Sequence, residues 1–220
     1  MSSTYSKFGE IIIKDFLGAP EEKDVEALET LLQTKLPESY KAFLQVANGG
    51  NLDGYYIEVD HPDMKVPRSF SLLYGTKQRL DGSPFGVFSH EIELSREAAQ
   101  LPPQVLPIAR DNSGCELYLD LTDFEVSGED RVVAFIHGIP DIEDQPEANA
   151  WVTLALHFDD FLKALQTDEE YYIEVLQETM DKPNPEKQTQ MIDFLDQAMP
   201  DWRAQESFAT YKDLQGTARH

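Results

Sequence analysis

The sequence predicts an α+β protein, in which antiparallel strands lie between N-terminal and C-terminal helices. Three observations favour this class: apolar residues at helical spacing before residue 48, short extended runs from residues 55 to 137, and helical spacing again after residue 158. Helices and strands that are grouped along the chain are typical of α+β folds. With 220 residues, of which 41% are hydrophobic, the chain can bury a substantial core.

Two helices are predicted near the N-terminus. The first begins at Pro20, because proline suits a first helical turn and the acidic pair that follows complements the helix dipole. Its apolar face consists of Val25, Leu28, Leu31 and Leu32. The second helix lies within LPESYKAFLQVANGG, residues 36–50, where Leu36 and Pro37 precede an apolar stripe at Tyr40, Phe43, Leu44 and Ala47.

The second helix is predicted to end at Asn48, Gly49 and Gly50, since these residue types tolerate the left-handed backbone of a helix C-terminus. A glycine-rich end can also cradle an anion. Anion sites lie at helix N-termini, however, and this glycine pair follows a C-terminus. The stretch is therefore interpreted as a structural unit and not as a ligand site.

Extended runs are predicted in the middle of the chain. YYIEV (55–59) alternates, RSFSLLYG (68–75) resembles a strand, and EIELSREAAQLPP (91–103) fits either a short helix or a strand that passes into a loop. Residues 105–139 form the clearest β region, with Leu117, Leu119 and Leu121 on one face and Tyr118 and Asp120 on the other. The turn SGED and the run RVVAFIH then predict an antiparallel hairpin.

Helices return towards the C-terminus. WVTLALHFDDFLKALQ (151–166) is predicted to turn helical, with one face formed by Phe158, Phe161, Leu162 and Leu165. DEEYYIEVLQETMDK (168–182) either extends this helix or forms another. A last helix is predicted after Asn184 as N-cap and Pro185, with an apolar face at Met191, Phe194, Leu195 and Ala198.

The charge balance restricts the possible partners. The chain has 41 acidic and 18 basic residues, for a net charge of −23. Such a surface repels nucleic-acid phosphates and anionic lipid and attracts basic proteins, although acidity also serves solubility alone. The charge thus predicts no direct nucleic-acid binding and no membrane association. A basic protein is the expected partner, but acidity alone decides which partners are excluded and not which one binds.

The compartment is predicted from the cysteine count and the N-terminus. The single Cys115 cannot form an internal disulfide, which suits a reducing compartment. MSSTYSKFGEIIIKDF lacks the pattern of a signal peptide, and no stretch has the roughly 20 apolar residues of a membrane span. We therefore expect a soluble, cytoplasmic protein.

Catalytic and metal-binding patterns do not fit the sequence. RDNSGCELYLD (110–120) suggests a calcium loop, but its glycine comes too early, so a turn leading into a strand is favoured. Cys115 has no local nucleophile signature and is interpreted as a small buried residue, and the five histidines show no zinc-binding spacing. The sequence predicts no catalytic residues, no metal, no cofactor and no enzymatic activity.

Two acidic clusters are the candidate partner-binding residues. In the first, tyrosines are interleaved with carboxylates, and both types suit the recognition of a basic protein. The residues are Asp53, Tyr55, Tyr56, Glu58, Asp60 and Asp63. The second cluster lies on a predicted acidic loop and contains Asp141, Glu143, Asp144 and Glu147. The alternative for each cluster is an ordinary exposed polar surface.

The order of these segments resembles the SUKH superfamily, which includes the yeast cell-wall-synthesis regulator and many bacterial proteins. LPESYKAFLQVANGG is similar to its first motif, LPIARDNSGCELYLDL to its central strands, and VVAFIHG with HFDDFLKAL to its closing strand and helix. The resemblance implies a central, mostly antiparallel sheet flanked by helices. It covers residues 22–165, and residues 61–94 depart from the family pattern.

The resemblance also implies a function. Bacterial members are mostly immunity proteins that neutralise polymorphic toxins, many of them nucleases, and no catalytic residues are established for the family. We expect a SUKH-like domain at residues 1–166 and a helical extension at 167–220, packed on that domain or trailing from it. The expected function is toxin neutralisation through an acidic face. The alternative is an intracellular regulatory scaffold for endogenous proteins, and the sequence carries no signal for an oligomeric state.

Overall fold

The computed structural model describes residues 5–61, 64–78, 83–137, 150–182 and 184–214. Within them the strands are β1 (Tyr5–Phe8), β2 (Ile11–Lys14), β3 (Gly50–Asn51), β4 (Tyr55–His61), β5 (Met64–Arg68), β6 (Leu72–Leu73), β7 (Val105–Arg110), β8 (Glu116–Asp120), β9 (Arg131–Ile136), β10 (Ala150–Ala155) and β11 (Gln166–Thr167). The helices are α1 (Glu22–Leu32), α2 (Glu38–Val46), α3 (Phe88–Ala99), α4 (Phe124–Ser127), α5 (Phe158–Ala164), α6 (Glu169–Met180) and α7 (Pro185–Ala198). Two short 3-10 helices follow at Trp202–Ala204 and Glu206–Phe208.

The strands form one large and one small sheet. The large sheet has eight strands within the described residues, in the order β1-β2-β3-β6-β7-β8-β9-β10, and each neighbouring pair is antiparallel. The small sheet has the order β11-β4-β5 and is also antiparallel. The predicted α+β class, with a mostly antiparallel central sheet and flanking helices, is confirmed.

The segment after α2 carries the chain into the large sheet. Asn48 is fully buried, where its Nδ2 donates to Gly18 O at 3.0 Å and its Oδ1 accepts from Thr76 N at 2.7 Å. Gly50 has a φ of +110°, and a Cβ at this position would lie 2.6 Å from Lys14 O. This stretch is thus a junction between backbone segments, and its polar side chain is used within the fold.

Two helical predictions near the C-terminus have different outcomes. Asn184 accepts a hydrogen bond from Lys187 N at 3.1 Å and caps α7, so the last predicted helix is confirmed. The prediction that residues 151–166 turn helical is confirmed only for Phe158–Ala164, and it is wrong before Phe158 and at Gln166, which belongs to β11. Trp151 to Ala155 belong to β10, which pairs with β9, and α5 begins only at Phe158. The undecided segment at 91–103 is helical up to Ala99, as part of α3, and leaves the helix from Gln100 onwards.

The described side chains form two apolar cores. The larger lies between the sheet and the helices α1, α2 and α5, and it includes Ile11 and Ile13 of β2. The smaller is formed by α6, α7 and the 3-10 helices, and it includes Ile12. Because successive side chains of a strand point to opposite faces, β2 is covered on both sides. The C-terminal segment therefore packs on the sheet through the second face of β2.

Candidate functional site

The structure separates the predicted partner-binding residues. Asp63, Asp141, Glu143, Asp144 and Glu147 lie outside the described residues. The other members of the first cluster lie on or just before β4, in the small sheet.

Asp53 and Tyr55 are used inside the fold. Tyr55 is 4% exposed; its hydroxyl accepts from Ile12 N at 3.0 Å and donates to Glu10 O at 3.4 Å. Asp53 is half-buried and pairs with Lys14 at 3.7 Å. These two side chains connect the start of β4 and the segment before it to the β1–β2 hairpin, so neither is freely available on the surface.

Tyr56, Glu58 and Asp60 are more accessible. Glu58 and Asp60 are exposed on β4 and lie 3.3 and 3.8 Å from Lys65 Nζ of β5. The Tyr56 hydroxyl donates to Gln166 Oε1 at 2.9 Å. Two carboxylates therefore face solvent here, and their negative charge is partly offset by one lysine.

The segment before Tyr55 is also where α6 docks. The Tyr172 hydroxyl donates to Asp53 O at 3.2 Å, and Asp168 N donates to Gly54 O at 2.9 Å. Lys14 Nζ lies 4.5 Å from the centre of the Phe194 ring of α7, and burial lowers the pKa of this lysine. Burial likewise raises the pKa of Asp53. The predicted acidic surface is thus partly a contact between the sheet and the C-terminal helices.

The candidate calcium loop is a turn that leads into β8, as predicted. Asp111 Oδ1 accepts hydrogen bonds from the backbone N–H groups of Ser113 and Cys115, each at 2.8 Å. Cys115 is 1% exposed. Among the residues that the structure describes, no three His, Cys, Asp or Glu side chains are grouped so that they could hold a metal ion.

A cleft of about 690 Å³ lies where the β1–β2 hairpin meets α5 and the end of α7, and we refer to it as the junction cleft. Most of its walls are apolar. They include Phe8, Ile11, Tyr55, Leu162, Leu165, Ala198, Met199 and Pro200. The sequence patterns did not indicate this cleft, because most of its walls come from opposite ends of the chain.

The polar groups of the junction cleft are mainly acidic. Glu10, Asp159 and Asp201 are exposed carboxylates among the lining residues. Lys163 also lines the cleft, and its ammonium group lies 3.0 Å from Asp160. Gln205 Oε1 is buried and accepts no hydrogen bond from any part of the chain that the structure describes.

Another acidic feature lies on α6. Glu170, Glu174 and Glu178 are exposed and follow one another at a spacing of four residues, so they share one side of the helix. We refer to them as the α6 carboxylate stripe. Lys182 lies 3.5 Å from Glu178 and offsets one end of the stripe.

By its fold, the chain is an α+β protein with a mostly antiparallel sheet, a helix–turn junction at Asn48 and an added C-terminal helical segment. The sequence model of the SMI1/KNR4 family (SUKH-1) matches residues 19–164, well over half of the chain. The chain belongs to this family. A search of the curated proteins found no match. No helix among the described residues has the length and apolar character needed to cross a membrane.

The family match ends at the last residue of α5. The β1–β2 hairpin lies before the matched region, and α6, α7 and the 3-10 helices lie after it. Most of the residues that line the junction cleft therefore lie outside the part of the chain that the family model describes.

Proposed function

We propose that this protein is a non-catalytic immunity protein, which binds a toxin domain through an acidic face and thereby neutralises it. Membership of the SMI1/KNR4 family carries the proposal, because bacterial members of the SUKH superfamily are mostly immunity proteins. Neutralisation would be steric and electrostatic: the acidic face covers the toxin's substrate site or the surface beside it.

The charge of the chain supports a basic partner, such as a nuclease. The net charge of −23 creates a negative potential that steers a cationic protein towards the surface. A nuclease presents cationic groups where it binds phosphates, and carboxylates of an inhibitor can pair with the same groups. The α6 carboxylate stripe and the exposed carboxylates of β4 supply such groups on described parts of the surface.

The experiment is co-expression with a candidate toxin domain, taken from a neighbouring gene that encodes one. Cells that produce both proteins should survive, and the two proteins should co-purify at low salt. A matched strain produces the toxin together with an unrelated acidic protein, which tests whether negative net charge alone protects the cells. Equal killing in both strains, with no complex recovered, would show that the proposal is wrong for that toxin.

A different outcome would favour the regulatory scaffold that the sequence leaves as an alternative. If the protein gives no protection, but forms a stoichiometric complex with an endogenous protein of its host, the acidic face serves regulation. Purification of the tagged protein from its natural host, followed by mass spectrometry, distinguishes these cases.

A further inference from the structure

We propose that the junction cleft binds a segment of the partner protein in which an apolar side chain is flanked by arginine or lysine. This inference rests on the proposed function, because it takes the toxin domain as the partner. The chemistry of the bound segment is derived from the cleft itself.

The shape and walls of the cleft select an apolar side chain. Its volume of about 690 Å³ is typical of ligand pockets, which range over roughly 300–1,000 Å³. Phe8, Leu162 and Leu165 are only partly buried, so part of their apolar surface faces the cleft. Seating an apolar group on these side chains removes both surfaces from water, which is the main source of binding energy at protein interfaces.

The charges around the cleft select a cationic neighbour. Glu10 comes from the β1–β2 turn, Asp159 from the first turn of α5, and Asp201 from the segment after α7. Three separate elements thus bring carboxylates to one opening. Glu10 also lies 3.7 Å from Lys7, but that pair is exposed to solvent and contributes little. Among the lining residues these three carboxylates face a single cation, Lys163, so the opening keeps an excess of negative charge.

Gln205 adds a requirement for a hydrogen-bond donor. Gln205 lines the cleft, and its Oε1 atom is buried beside it with no donor among the described residues. A buried acceptor without a partner is costly, and a bound group that supplies an N–H removes this cost. Arginine satisfies both conditions, because it carries positive charge and several N–H donors on one planar group.

The location of the cleft relates it to the choice of partner. Its walls come mostly from the hairpin before residue 19 and from the helices after residue 164, outside the family match. Substitutions at exposed positions of these elements, such as Glu10 and Asp201, can change the cleft while the matched core keeps its packing. We therefore assign to the junction cleft a role in selecting one partner among related basic proteins.

The first test reverses two charges at the cleft and two elsewhere. The variant Asp159→Lys with Asp201→Lys is compared with the control Glu93→Lys with Glu125→Lys, which has the same net charge. All four side chains are exposed, and Asp159 and Glu125 both lie in the first turn of a short helix. Calorimetry with a catalytically inactive toxin domain at low salt should show affinity weakened roughly 10-fold or more for the cleft variant and less than about 3-fold for the control.

The second test does not depend on the toxin. A displayed library of random linear peptides is selected on the wild-type protein and then on the Asp159→Lys, Asp201→Lys variant. Enriched peptides should share an apolar residue next to arginine or lysine, and the variant should lose them. If no such peptides are enriched, or if the variant retains them, the cleft proposal is overturned whatever the toxin does.

The outcomes separate the two proposals. Equal weakening by the cleft variant and the control would overturn the cleft proposal and leave toxin binding intact. If the wild-type protein forms no complex with the toxin, the proposed function fails for that toxin, and the peptide selection alone decides the role of the cleft.

Discussion

The contact between Gly54 and Tyr172 holds the C-terminal helices to the sheet, and it can be tested by adding one methyl group. Gly54 has a φ of +76°, and a Cβ built there would lie 2.6 Å from Tyr172 Oη and closer still to Cζ of the ring. Tyr172 is fully buried, and its hydroxyl donates to Asp53 O. The substitution Gly54→Ala must therefore displace the ring or the backbone.

The expected destabilisation has two parts. A left-handed conformation costs a non-glycine residue about 1–2 kcal/mol. Overpacking against a buried side chain costs about 1–3 kcal/mol more. Gly128→Ala is a matched control, since Gly128 has a φ of +75° and no atom within 4 Å of the added methyl group. We expect Gly54→Ala to lower the free energy of unfolding by about 2–5 kcal/mol and the control by about 1–2 kcal/mol.

The two tryptophans make the measurement specific. Trp202 is fully buried in the smaller core, whereas Trp151 is 48% exposed on β10. In a Trp151→Phe background, fluorescence during urea unfolding reports on the C-terminal segment, and far-UV circular dichroism reports on the whole chain. If Gly54→Ala and Gly128→Ala lower the stability equally, the inferred tight contact at Tyr172 is wrong. A Trp202 transition at lower urea than the dichroism transition would support the predicted division of the chain at residue 166.

Three further predictions concern charged groups. The hydrogen bond to Asp130 raises the pKa of His157. The stabilising contribution of this hydrogen bond is therefore complete below pH of about 6.5 and is lost as the pH rises through the folded-state pKa. In urea titrations, the difference in unfolding free energy between wild type and His157→Asn should shrink over the same pH range. Lys14→Met leaves the half-buried Asp53 without its cation and should lower the free energy of unfolding by about 1–2 kcal/mol. Adding Asp53→Asn to the same chain should restore more than half of that loss. Glu174→Lys relieves repulsion within the α6 carboxylate stripe and should stabilise the protein by about 0.5–1 kcal/mol in thermal unfolding at low salt, an effect that high salt removes.

The elements that sequence reasoning predicted well carry their signals locally. The start of α7 needs only Asn184 and Pro185, and the end of α2 needs only the residues just after it. The beginning of β10 was missed for a physical reason. Trp151 to Leu156 is a short, mostly apolar run, and periodicity alone does not distinguish a buried strand from a helix in such a run. Only the pairing with β9 decides the matter, and that pairing depends on the preceding strand, which lies outside the local run.

The candidate site was harder to predict, because it depends on which surfaces the C-terminal helices cover. The alternation in YYIEV does not reveal that Tyr55 is enclosed by the β1–β2 hairpin, while Glu58 remains exposed. The hydrogen bond from Tyr172 to Asp53 joins residues 119 positions apart. The junction cleft likewise combines the beginning and the end of the described chain, and no local pattern encodes such a meeting.

The run Ile11-Ile12-Ile13 explains why the C-terminal helices and the cleft occur together. A strand with apolar side chains on both faces needs cover on both faces, and the larger core covers only Ile11 and Ile13. The helices after the family match supply the second cover through Ile12. Their ends, with the hairpin turn, leave the junction cleft open beside the buried strand. Removal of residues 167–220 would therefore expose Ile12 and remove one wall of the cleft together, so stability and partner selection depend on the same added elements.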